Sequence, residues 1–194
     1  MAGSTAGPHG LLLAAGAGRR AGGPKALRVG ADGTPWLAVA VEGLLTGGCP
    51  AVTVVLGAEA DRAARLLPMS NAVRWVLAED WAEGMGASLR VGLAAVAETS
   101  GADAALVTLV DLPDVGAAVV ARVLAAATGR ESLVRAVYDG RPGHPVLLGR
   151  SHWQAVAAAA QGDRGARDYF MTHHPALVEC GDLATGRDRD GPGD

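Results

Sequence analysis

Apolar residues along the chain fall into two kinds of run. Short continuous ones at residues 10–15, 51–57, 73–78 and 104–110 have the length of strands buried on both faces. Between them, residues 35–45, 59–67, 87–97 and 115–127 carry apolar positions at helical spacing, several with Gly or Pro just beyond. This alternation predicts parallel strands joined by crossover helices. Residues 133–138 and 145–148 flank the turn-rich stretch Asp139-Gly140-Arg141-Pro142-Gly143, which predicts an antiparallel excursion with His144 held in its turn. Residues 151–160 and 163–172 then read as helices, and the last dozen residues as loose chain. The expected fold is a three-layer α/β/α sandwich, a mostly parallel twisted sheet of Rossmann-like topology with helices on both faces.

Length and composition narrow the function. The 194 residues suit one domain over residues 10–194, with residues 1–9 as a disordered N-terminal extension. Hydrophobic residues make up 49%, but every apolar run is interrupted before the ~18 residues of a membrane span. The net charge of −3 offers no basic field to a polyanion, and one Phe, two Tyr and four Trp leave little for base stacking, so neither nucleic acid nor membrane is expected as partner. Cys49 and Cys180 are far apart, and the N-terminal MAGSTAGPHG has no basic region before the short run LLLAA, so the cytoplasm is the expected compartment.

Lys25 is the only lysine, while Arg makes up the rest of the 17 basic residues and Ile is absent. Such a bias looks like drift in a GC-rich genome that replaced Lys wherever Arg would serve. Arg is a planar fork and Lys a compact point charge, so a site that needs the second geometry resists replacement.

That lysine falls in LAAGAGRRAGGPKAL, Leu13 to Leu27, directly after the first strand. A glycine-rich turn lets backbone N–H groups approach an anion, and Arg19, Arg20 and Lys25 supply the charge that the whole protein lacks. A Walker A loop needs Gly-Lys-Ser/Thr, whereas Pro24 precedes Lys25 and Ala26 follows it. Gly16-Ala17-Gly18-Arg19-Arg20-Ala21 matches a dinucleotide fingerprint loosely, but no helix can run on through Gly22-Gly23-Pro24.

The same stretch resembles the LAAGxGxRMGxPK signature of the MobA-like nucleotidyltransferases, in the branch that includes molybdenum cofactor cytidylyltransferase, with Lys25 on the signature lysine and Ala21 in place of Met. VDLPDV is similar to the family's GDxP element, whose aspartate holds Mg²⁺ against the phosphates, which points to Asp111; Asp114 is better placed to cap the following helix. DWAEGMGASLRVGL, Asp80 to Leu93, resembles a loop and helix of the cytidylyltransferase branch, without the Asn that usually opens it. Gly143-His144-Pro145-Val146 and Gly162-Asp163-Arg164-Gly165-Ala166-Arg167 resemble the branch's GHPV and GDxGAR stretches, Asp163 being read as a helix cap. The C-terminal DRDGPGD is similar to the family's DIDTPED, with Gly191 and Gly193 replacing Thr and Glu.

The resemblance covers nearly the whole chain beyond residue 9 and implies a nucleotidyltransferase. Leu13, Ala14, Ala15, Gly16, Gly18, Arg19 and Lys25 would bind the nucleotide, with Lys25, Arg20 and Asp111 as catalytic residues. Asp111 and Asp190 would hold Mg²⁺, and Ser88, His144, Asp163 and Arg167 would contact the acceptor. Ala15, where guanylyltransferases usually carry Gly, favours CTP. The implied reaction moves CMP from CTP to molybdopterin with release of pyrophosphate, and a transient contact with a molybdoenzyme would deliver the product. Guanylyl transfer, or a sugar, polyol or phospholactate phosphate as acceptor, stays open. So do a nicotinamide-dependent oxidoreductase, which would keep the glycine fingerprint, and a non-catalytic cofactor carrier.

Overall fold

The computed structural model describes residues 7–19 and 22–189. Its seven strands are β1 (Gly7–Ala14), β2 (Val52–Leu56), β3 (Val73–Leu77), β4 (Ala102–Leu109), β5 (Leu133–Tyr138), β6 (Arg141–Gly149) and β7 (Ala176–Glu179). They form one sheet in the order β3-β2-β1-β4-β6-β5-β7. Only β6 is antiparallel to its neighbours; every other pairing is parallel. The helices are α1 (Trp36–Thr46), α2 (Ala60–Ala64), α3 (Met85–Ala97), α4 (Ala117–Ala125) and α5 (Trp153–Ala159).

Alternation along β1 shows how the three layers assemble. Leu12 and Ala14 pack with Leu37, Val41 and Leu44 of α1 and Val119, Val120 and Val123 of α4. Leu11 and Leu13 turn the other way, onto Leu89, Leu93 and Val96 of α3 and Trp153 and Val156 of α5. A strand apolar on both faces must be covered on both, and the period of two assigns successive residues to opposite layers. The expected three-layer, mostly parallel fold is what the chain adopts.

Several local expectations are corrected. The first strand starts at Gly7, so Gly7, Pro8 and His9 belong to the sheet rather than to an N-terminal extension; residues 1–6 lie outside the described residues. Residues 163–172 form no α-helix. Gly165, at φ +52°, separates two single 3-10 turns, Gly162–Arg164 and Tyr169–Met171. Strand β7 was not foreseen, because four residues beside β5 carry no pattern of their own.

The hairpin is tighter than expected. Asp139 and Gly140, at φ 51° and 75°, form a two-residue turn whose twist suits adjoining strands. Glu179 accepts backbone hydrogen bonds from both, at 3.0 and 3.1 Å. His144 therefore stands within strand β6 and not in a turn.

Candidate functional site

In a parallel sheet the carboxyl ends of adjacent strands and the loops that leave them enclose a crevice. Here the ends of β1 and β4 open into a cavity of about 660 Å³. Its walls include Leu13, Ala14, Ala15, Gly16, Gly18, Arg19 and Lys25 from the end of β1 and the loop after it, Asp111 after β4, and Ser88 of α3. Trp81, Met85, Asp163 and Asp188 complete much of the rest.

The loop after β1 gets its shape from one glycine. Gly18 has φ +57°, and a Cβ there would lie 1.9 Å from the carbonyl oxygen of Gly23, too close for any side chain. Gly23 N–H in turn donates to Gly18 O at 3.1 Å, closing the loop on itself. Pro24 then leads into a single 3-10 turn, Lys25–Leu27, and the next α-helix begins only at Trp36. The reading that no helix continues through Gly22-Gly23-Pro24 holds, so the turn is not a dinucleotide fingerprint opening a helix.

That turn aims Lys25 across the cavity. Its Nζ donates to Asp111 Oδ2 at 2.8 Å, and both side chains are less than one-fifth exposed. Two charges from segments 86 residues apart thus face one another at the carboxyl ends of β1 and β4. Opposite them, α3 points its N-terminus at the cavity through Gly84, Met85 and Ser88. Gly84, at φ +118°, must stay a glycine: a Cβ there would meet Asp163 Oδ1 at 2.6 Å and the backbone of Gly162. Asp163 makes no cap, and its neighbour Arg164 pairs instead with Asp168 at 3.1 Å.

The C-terminal stretch, expected to be loose, is tied down as far as Arg189. Asp114 Oδ2 accepts hydrogen bonds from the backbone N–H and hydroxyl of Thr185 at 2.7 and 2.6 Å, and Arg189 N–H donates to Asp111 O at 2.9 Å. Arg122 pairs with Asp182. Asp114 is therefore a tail anchor; the residue before α4 is Gly116, with no side-chain cap. These contacts bring Asp188 to the cavity, a carboxylate that sequence reasoning passed over in favour of Asp190. Its only signal was its place in DRDGPGD. Arg20 and Asp190 lie outside the described residues.

His144 and Arg167 do not line the cavity. The β4–β6 ladder pairs Val107 with Val146, so His144 sits two residues beyond that pair, level with Leu109 at the cavity wall. Burial, and secondarily Arg135, push its imidazole down to about 4, so it is neutral at physiological pH.

Among the described residues no group of three potential metal ligands is assembled, and no helix is long and apolar enough to cross a membrane.

Comparison with known proteins places this arrangement. The model of the MobA-like NTP transferase domain matches residues 10–177. Nicotine blue oxidoreductase of Paenarthrobacter nicotinovorans is 41% identical over 196 residues, covering 93% of this chain and 91% of the relative. A nucleotidyl transferase from Methanothermobacter thermautotrophicus superposes with a TM-score of 0.78 at 21% identity, covering 96% of this chain and 93% of that one. Rv0371c of Mycobacterium tuberculosis H37Rv, solved in complex with manganese, does so with a TM-score of 0.70 at 23% identity, over 90% and 87% of the two chains. With the glycine-rich turn, its lysine and the acid after β4 all inside the matched segment, the chain belongs to the MobA-like NTP transferase family, a nucleotidyltransferase by lineage and fold.

Proposed function

We propose that the chain transfers CMP from CTP to molybdopterin, releasing pyrophosphate, in the cytoplasm. The observation that carries nucleotidyl transfer is the Lys25–Asp111 pair across a cavity whose floor is the glycine-rich turn. Triphosphate on that turn would meet backbone N–H groups and the point charge of Lys25, where charge develops as an acceptor phosphate oxygen bonds to the α-phosphorus and the bond to the β-phosphate breaks. Pyrophosphate leaves with the electron pair, and no covalent enzyme intermediate is required.

The donor set suits a hard divalent cation. Asp111 and Asp188 both line the cavity, and Mg²⁺ commonly takes one or two carboxylates, with phosphate oxygens and water completing its shell. The manganese complex of Rv0371c supports a divalent metal in this fold. Bound there, the cation would neutralise phosphate charge. Arg20 and Asp190 are assigned to phosphate and metal on the family motif alone. On the acceptor side stand Ser88 and Asp163 in the cavity wall, with neutral His144 and Arg167 beyond it. Ala15, 3% exposed and in the wall, narrows the pocket in favour of a pyrimidine.

A second reading, a nicotinamide-dependent oxidoreductase, is favoured by one observation, the 41% identity to a relative named nicotine blue oxidoreductase. The missing helix after the glycine-rich turn speaks against the usual dinucleotide mode. Both readings are tested by incubating the purified chain with Mg²⁺, each NTP and a panel of phosphorylated acceptors including molybdopterin. Pyrophosphate and product mass are followed, alongside NADH and NADPH oxidation with a reducible dye. Nucleotidyl transfer requires acceptor-dependent pyrophosphate release, and the cytidylyl assignment requires that this release be greatest with CTP. Nicotinamide oxidation without pyrophosphate release overturns it.

A further inference from the structure

Beside the cavity, on the sheet face that α3 and α5 cover, lies a cluster of basic and aromatic side chains centred on a residue that the motifs left out. Arg135 in β5 pairs in register with Val146 of β6, which pairs with Val107 of β4 and through it with Leu11 of β1. Of these four residues it alone is charged. Its Nε donates to Gly143 O at 3.2 Å, which turns the guanidinium toward the carboxyl edge of the sheet, where His144 follows. Phe170 covers one face of the guanidinium, with the ring centroid 5.6 Å from Cζ.

Among the described residues nothing anionic balances this group. Among the described residues, Arg135 makes no ion pair, and neither terminal nitrogen donates a hydrogen bond. The charged neighbour that acts on it is another cation, Arg167, and burial together with that repulsion lowers its pKa. A half-buried guanidinium that faces a second arginine and spends only Nε on the protein is costly unless an anion completes it.

We propose that Arg135, with Arg167 beside it, Phe170 over its face and His144 at its edge, forms a subsite for the phosphate of a phosphomonoester that carries a planar ring. The two unused terminal nitrogens form the fork that matches two phosphate oxygens, and Phe170 offers a flat apolar surface to the ring. As an acceptor subsite the proposal rests on the nucleotidyl-transfer reading, for it would hold the attacking phosphate on the β6 side of Asp111.

The test is calorimetric titration of the full-length protein with phenyl phosphate, inorganic phosphate and CTP separately, in the parent, Arg135→Gln, Arg135→Lys and Phe170→Leu. Gln can keep the hydrogen bond to Gly143, and Lys keeps the charge without the fork. Phenyl phosphate should bind the parent and weaken at least tenfold in Arg135→Gln, with partial recovery in Arg135→Lys and CTP affinity unchanged in all. Inorganic phosphate should bind more weakly than phenyl phosphate, and Phe170→Leu should remove that difference. Phenyl phosphate that fails to bind the parent, or binds Arg135→Gln equally well, overturns the subsite. Arg135-dependent binding in a protein that does not bind CTP leaves the subsite standing and overturns the CTP-dependent transfer proposed above instead.

Discussion

Lys25 Nζ and Asp111 Oδ2 stand 2.8 Å apart, the only lysine of the chain, in the turn that follows the β1 loop, against the acid that follows the neighbouring strand β4. The pair joins two features that look unrelated along the chain: a compositional oddity and an acid before a proline. Each side chain offsets the other's charge, and in the proposed reaction Lys25 would take phosphate and Asp111 the cation.

Lys25→Ala should reduce kcat/KM for the nucleotide by about 10²–10³-fold, the usual cost of removing one preorganised charge donor. Lys25→Arg should also lose activity, because a fork replaces a point charge. Both should keep an unfolding midpoint within a few degrees of the parent, since ~1 kcal/mol moves a protein of this size by about 2–4 °C. Initial rates and thermal melts on the same preparations check this, and a parent-like rate for Lys25→Arg would remove the special status of the lysine.

Activity should require Mg²⁺ or Mn²⁺ and disappear in EDTA. Asp111→Asn should lose most of it, because a neutral amide is a poor ligand for a hard cation shared with phosphates. Asp188→Asn should show a smaller loss, expressed as a raised metal requirement. Metal titrations of the reaction rate in the three proteins separate these effects.

Ala15→Gly should shift preference from CTP toward GTP. A methyl-sized change in a pocket is worth ~1–3 kcal/mol, so the ratio of kcat/KM values should move by about 10–200-fold, with neither nucleotide excluded. Equal or better use of GTP by the parent would refute the cytidylyl assignment while leaving nucleotidyl transfer intact.

His9 sets part of the acid stability. It is 3% exposed, its Nε2 lies 2.8 Å from Thr53 Oγ1, and Arg74 Nε donates to the same oxygen at 3.0 Å. Burial, then Arg74, lowers its pKa from 6.5 to about 4, so the folded protein holds the ring neutral where the unfolded chain would protonate it. The stabilisation is full above pH 6.5 and is lost as pH falls toward 4, amounting to about 3 kcal/mol. His9→Gln should flatten denaturant-measured stability between those pH values; an unchanged slope would show that His9 does not titrate there.

How much of this was legible along the chain follows from the range of each interaction. Alternating apolar runs determined the layers, because any strand apolar on both faces must be covered on both. LAAGAGRRAGGPKAL determined the closed glycine-rich loop after β1, since Gly18 closes on Gly23 within a few residues and the signal is local. Contacts far apart in the chain were decided only by the tertiary structure. Asp114 resembles a helix cap until Thr185, 71 residues away, occupies its carboxylate. Asp188 gains its place through a tail whose anchors lie in other elements, on Asp111, Asp114 and Arg122. Residues 163–172 have helical spacing yet break into single turns, because Gly165 leaves the helical region and the segment must pack against Met85. Arg135 belongs to no motif; only the register of β5, β6 and β4 sets it beside the cleft, with an aromatic face over it and no counter-ion among the described residues. Sequence pattern determines what a residue does with its neighbours in the chain, whereas the partner of a buried charge is whatever the sheet order brings alongside it.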